Sequence, residues 1–107
     1  VGSLSRDKGA RFEREVVGIL HEHGWTKAAR SSDGRKQGGR GDVINPPAGT
    51  HIECKFHERL NVPRAFDQAM ADAGDAIPIL VHRPSRHRVM ATLPLADLLP
   101  LLALRER

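Results

Sequence analysis

Two stretches of helical periodicity, residues 7–23 and 61–74, bracket a run of short alternating segments, and that order admits few architectures. In the first stretch Phe12, Val16, Ile19 and Leu20 recur at three- and four-residue spacing, the mark of an amphipathic helix, and Gly24 can close it. In the second, Asn61 is a helix cap, Pro63 is tolerated in the first turn, Gly74 is a stop, and Phe66, Ala69, Met70 and Ala73 form the expected core stripe. Between them Trp25–Arg30, Asp42–Ile44 and His51–Phe56 read as strands. The turn-forming residues Asn45 to Thr50 predict a hairpin-like reversal between the last two. Ile77–His82 and Arg88–Thr92 add two more strands. Pro94–Leu104 reads as a leucine-rich helix kinked or broken at Pro100. The expected fold is therefore α/β, in the order αβββαββα, with helices on a mixed central sheet.

A chain of 107 residues suits one domain, here 1–107, with residues 1–6 expected to be disordered or extraneous. The single cysteine, Cys54, excludes an internal disulfide framework, and no apolar run reaches the roughly 20 residues that span a bilayer. With no signal pattern at its start, the chain is expected to be cytoplasmic and without a membrane partner.

Charge narrows the partners. The net charge is +4, and the segment from Thr26 to Arg40 carries as large an excess, through Lys27, Arg30, Arg35, Lys36 and Arg40 against Asp33. A second basic knot spans His82 to Arg88. Localised positive charge draws polyanions by counterion release. One Trp, three Phe and no Tyr make a base-stacking platform improbable.

Acids then stand out against this background. At about 100° per residue, Glu13 falls between Leu20 and Val17, inside the apolar arc of the first helix, where a carboxylate needs a cation or a metal unless its head reaches water. Alternation sends Ile52, Cys54 and Phe56 to one face of their strand and Glu53 with Lys55 to the other. Asp42 opens the preceding strand after Gly41, which permits close backbone approach. If those strands pair, Asp42 and Glu53 lie close together, and two adjacent carboxylates share a proton or a hard divalent cation. An ordinary cross-strand salt bridge of Lys55 with one acid is the plainer alternative. Cys54 is a small core residue. His21, His23, His82 and His87 suit surface placement or phosphate contact.

In their order along the chain, Lys8-Gly9-Ala10-Arg11-Phe12-Glu13-Arg14-Glu15, Arg30-Ser31-Ser32, Gly41-Asp42-Val43 and Ile52-Glu53-Cys54-Lys55 resemble the PD-(D/E)XK nuclease superfamily. Within it they are most similar to the archaeal-type Holliday junction resolvases. Gly41 stands where the name-giving proline would be. The resemblance implies a restriction-endonuclease-like core and metal-dependent hydrolysis of DNA phosphodiester bonds. Asp42, Glu53 and the Cys54 carbonyl would hold Mg²⁺, with Mn²⁺ able to substitute. Glu13 would join directly or through a water, and Lys55 would act on the attacking water. Lys8, Arg11, Arg30, Ser32, Arg35, Lys36 and Arg40 would contact DNA, and Gln68 matches a helix glutamine near some sites of this superfamily. The implied substrate is branched or four-way junction DNA, cut by a homodimer, with the leucine-rich tail one candidate contact. A related nuclease acting on flap, nicked or duplex DNA, or a basic nucleic-acid-binding module without catalysis, uses the same features.

Overall fold

In the computed structural model, which describes residues 2–31 and 41–106, the first helix, α1, runs Gly2–Glu22. It starts before the expected Asp7. Gly24, at φ +102°, turns the chain out of it. Two short strands follow, β1 (Ala29–Arg30) and β2 (Val43–Ile44), paired antiparallel with Ala29 opposite Ile44 and Arg30 opposite Val43. Strand β3 (Thr50–Lys55) leads through α2 (Val62–Ala73) into β4 (Ile77–His82), which pairs parallel to β3. Helix α2 is thus the crossover that a parallel pair requires. Strand β5 (Met90–Thr92) adds antiparallel to β4, and α3 (Leu95–Arg105) ends the described chain.

The element order is the expected one, but the single central sheet is not. The strands form a two-stranded sheet, β1-β2, and a mixed three-stranded sheet, β3-β4-β5. The anticipated hairpin between β2 and β3 is reduced to a junction at Asp42, whose amide donates to Ile52 O at 2.9 Å. The next ladder position is taken by a side chain: Cys54 N–H donates to Asp42 Oδ2 at 2.7 Å. A carboxylate standing in for a main-chain carbonyl ends the ladder there.

The core lies between α1 and the sheets. Phe12, Val16 and Val17 of α1 pack on Ala28, Val43, Ile52, Cys54 and Val81, with Leu20, Phe56, Ile79 and Val89 at the margin. Helix α2 covers β4, and its buried residues are Ala65 and Ala69. Met70, expected in that stripe, is half exposed, because small alanines one turn apart let the helix approach the sheet more closely than a methionine would. The cap at Asn61 is as expected, its side chain accepting from Arg64 N at 3.1 Å. Helix α3 continues through Pro100, where the lost hydrogen bond falls on the exposed Ala96 carbonyl, within reach of water. No described helix is long and apolar enough to cross a membrane.

Candidate active site

Glycine is required at the head of β2. Gly41 has φ +69°, and a Cβ there would sit 2.6 Å from Ile52 O and 3.0 Å from His51 Cε1. The bare backbone lets Asp42 lie directly against β3, held by its amide and its carboxylate as described above. Of the two Asp42 oxygens, Oδ2 is committed to Cys54 N.

Strand β3 presents its groups in two directions. Gly49 O accepts from Ile77 N and Lys55 O from Arg83 N, so the odd-numbered main-chain groups face β4. Those of Ile52 and Cys54 therefore face Asp42, and the Cys54 carbonyl points to the same edge as the Asp42 carboxylate. Among the side chains, Glu53 Oε1 accepts a 2.9 Å hydrogen bond from His51 Nε2, with His51 itself buried. Burial, followed by the charge and hydrogen bonding of Asp42, holds the Glu53 carboxyl above the usual carboxylate range, against the lowering effect of His51. Asp42 is thus a neighbour of Glu53 whose charge opposes its ionisation.

Glu13 joins the same region from α1. Its Oε1 accepts from Arg30 Nε at 3.0 Å, with the two side chains 20% and 10% exposed. The cation that its position in the apolar arc called for is this arginine. Arg30, expected among the DNA contacts, is buried. The Cys54 thiol lies within the electrostatic reach of all three acids. Its ionisation is pushed far up, first by burial and then by the charges of Asp42, Glu13 and Glu53. Such a thiol is an inert core group, as its alternation indicated.

Lys55 is partly buried at the end of β3 and lines a cleft of about 360 Å³ with Lys8, Gly9, Cys54, Phe56, His57 and Glu58. Lys8 and Arg11 are exposed on the adjoining face of α1. Gln68 is exposed on α2. Ser32, Arg35, Lys36 and Arg40 lie outside the described residues. Three of the four histidines named from sequence are occupied locally: His21 Nε2 donates to Ala28 O at 2.7 Å and His23 Nδ1 to Ile19 O at 2.9 Å, while His82 Nε2 lies 2.9 Å from Thr92 Oγ1; His87 is exposed. The residue that sequence reasoning missed is His51. Its signal was its parity with Glu53 two positions on, which puts both side chains on one face.

Among the described residues no three His, Cys, Asp or Glu side chains form a ready metal cage. Two carboxyls, Asp42 and Glu53, act on each other here, and the Cys54 main-chain carbonyl points to the same edge as Asp42. That all-oxygen set, with a carboxyl whose ionisation is resisted first by burial and then by its neighbour, suits a hard divalent cation that keeps much of its water. Comparison with protein-family models, curated proteins and solved structures gives no match.

Proposed function

We propose that the chain is a divalent-metal-dependent, structure-selective DNA endonuclease with a restriction-endonuclease-like core of the PD-(D/E)XK type, acting on four-way junctions. The observation that carries this reading is the meeting of Asp42 and Glu53 at the β2–β3 junction, with Lys55 two residues further along the same strand. Such a pair is unfavourable in an ordinary fold and useful in one that binds a cation. The element order and the basic residues Lys8 and Arg11 beside the Lys55 cleft support it.

Asp42, Glu53 and the Cys54 carbonyl would hold Mg²⁺, or Mn²⁺ in its place. When bound, the ion would lower the pKa of water and offset the charge that builds on the phosphate. Lys55 would orient the attacking water, draw off its proton and stabilise the pentacovalent arrangement of in-line attack. His51 would keep one Glu53 oxygen occupied, which leaves the other to face the ion. Glu13, neutralised by Arg30, would add negative potential without being a direct ligand. Lys8 and Arg11 would hold backbone phosphates.

Junction cleavage needs two symmetrical incisions and so a twofold dimer. Helix α3 supplies a contact for a second copy. It buries none of its residues within the chain, and Leu95, Leu99 and Leu102, spaced four and three apart, are 65%, 52% and 40% exposed. An apolar stripe of this kind is uncommon on a monomer.

The decisive experiment is cleavage of a panel of labelled four-way junction, flap, nicked and linear DNA of matched sequence in Mg²⁺, Mn²⁺ or chelator, with Glu53→Gln in parallel. Metal-dependent incision of the junction above the other structures, lost in the variant, is expected. Equal cutting of linear duplex would remove the junction preference, and cutting by Glu53→Gln would remove the mechanism.

A further inference from the structure

A second cleft adjoins that of Lys55 and shares Lys8 and Phe56 with it. It measures about 270 Å³ and is lined by Lys8, Arg11, Phe12, Glu15, Phe56, Arg83 and Ser85. Its floor is Arg83, from the basic knot after β4. The guanidinium carbon lies 5.6 Å from the centre of the Phe12 ring and 5.5 Å from that of Phe56. Nη2 donates to Glu15 Oε1 at 2.6 Å. Two rings and one carboxylate fix the group before any ligand arrives, which reduces the ordering a ligand must impose.

Arg83 keeps capacity to spare. Of its guanidinium nitrogens only Nη2 has a hydrogen-bond partner among the described residues, and Nε is buried without one. A guanidinium has five N–H donors in a planar fork that matches phosphate. Glu15 balances the charge of Arg83, whereas Lys8 and Arg11, exposed at the rim, have no ion-pair partner among the described residues. The turn beyond Arg83 is tied down as well, with Ser85 N–H donating to Glu58 Oε1 at 3.0 Å. Glu58 also lines the Lys55 cleft. The cleft is therefore net positive and pre-shaped, and it shares Lys8 and Phe56 with the cleft of Lys55.

We infer that this cleft is a phosphate subsite, holding a backbone phosphate of DNA that neighbours the one being cut, with Arg83 as its fixed floor and Arg11 and Lys8 at its rim. The inference rests on the nuclease reading for the identity of the neighbouring phosphate. It goes beyond that reading in giving Arg83 a ligand and in separating the hold on the strand from the chemistry.

The test is a methylphosphonate scan. Junction DNA carrying one neutral methylphosphonate at each position near the branch and the cut is bound in chelator by the wild type, Arg11→Gln and Arg83→Lys. One position within a few nucleotides of the cut should weaken wild-type binding about tenfold, as expected for a charge-assisted contact. Arg11→Gln should show little further loss at that position and an ordinary loss at every other. Arg83→Lys, which keeps the charge and loses the fork, should behave in the same way. Should the Arg83 variant fail to fold, Arg11→Gln decides alone, because Arg11 is exposed. Losses that simply add at every position, or coupling confined to phosphates remote from the cut, would overturn the subsite. Cleavage in Mg²⁺ is measured on the same proteins. Coupling without any cleavage would leave the subsite standing and remove the nuclease reading, and cleavage without coupling would do the reverse.

Discussion

The Cys54 amide donates to Asp42 Oδ2 across 2.7 Å, and the Asp42 amide returns a hydrogen bond to Ile52 O at 2.9 Å. Asp42 is thereby bound to β3 at both ends, a link that joins the two small sheets where no continuous ladder does. Its side chain has a structural task besides any chemical one, and the two tasks separate by substitution.

Asparagine keeps an oxygen that can accept from Cys54 N, while alanine removes it. Asp42→Ala should destabilise the fold by about 2 kcal/mol, the value of a hydrogen bond to a charged acceptor together with an unpaired amide, and Asp42→Asn by less than about 1 kcal/mol. Urea unfolding followed by circular dichroism measures both. Equal losses would mean that the Cys54 contact contributes nothing.

The Glu13–Arg30 pair makes a sharper contrast, since removing Arg30 leaves the Glu13 charge in a mostly buried place. Arg30→Met should lose about 3 kcal/mol, Glu13→Gln about 1 kcal/mol, and the double variant less than the sum. A complete double-mutant cycle with no coupling would show that each side chain is stabilised separately.

These two relationships mark the boundary of what the sequence discloses. Local grammar was readable: Asn61 and Gly74 bound α2, Gly24 ends α1, and the wheel position of Glu13 demanded a partner. The identity of that partner was not, because Arg30 lies 17 residues away on a strand of two residues, too short to have a period. The same brevity hid the pairing of β2 with β1. Met70 and Ala65 exchanged places because apolar spacing cannot tell whether a helix packs closely through alanine or further off through larger side chains. Arg30 and Arg83 both looked like surface charge; one is paired in the interior and the other lies over two neighbouring aromatic rings, outcomes that composition does not distinguish. The Glu53/Lys55 face followed from alternation alone, while the approach of Asp42 to it depends on the left-handed turn at Gly41.

That turn is itself testable. Alanine at position 41 would have to adopt φ +69° and place its Cβ 2.6 Å from a main-chain oxygen that accepts the Asp42 amide. Gly41→Ala should cost about 2–4 kcal/mol, more than the roughly 1–2 kcal/mol of a left-handed alanine alone. The urea midpoint should fall with an unchanged slope. A loss below about 1 kcal/mol would show that the junction relaxes freely.

Helix α3 bears on assembly. Glutamate at Leu99 and Leu102 introduces charge into one exposed stripe and leaves the interior untouched, since neither residue is buried. Sedimentation velocity of the wild type should show a dimer at micromolar concentration, and Leu99→Glu with Leu102→Glu a monomer of unchanged far-ultraviolet circular dichroism. A wild type that stays monomeric across that range would remove α3 as a contact between copies.

The Glu53 carboxyl links stability to both pH and metal. Its ionisation is raised by burial first and by Asp42 next. A native value above the unfolded one, near about 4.3, means that the folded protein holds the proton to higher pH. Between the two values the native state binds more protons than the unfolded state, so stability is greatest below the unfolded value and falls as pH rises through the window. Without metal, Glu53→Gln removes that loss and retains an oxygen for His51 Nε2. It should melt a few degrees above the wild type at pH 7, with the difference closing at pH 4. Adding Mg²⁺ at pH 7 should raise the wild-type Tm by ligand linkage and leave Glu53→Gln unmoved. A wild type whose Tm ignores Mg²⁺ would separate this carboxylate pair from any role in holding a cation, and a Glu53→Gln protein less stable than wild type at pH 7 would show that the charged carboxylate is favourable in the fold.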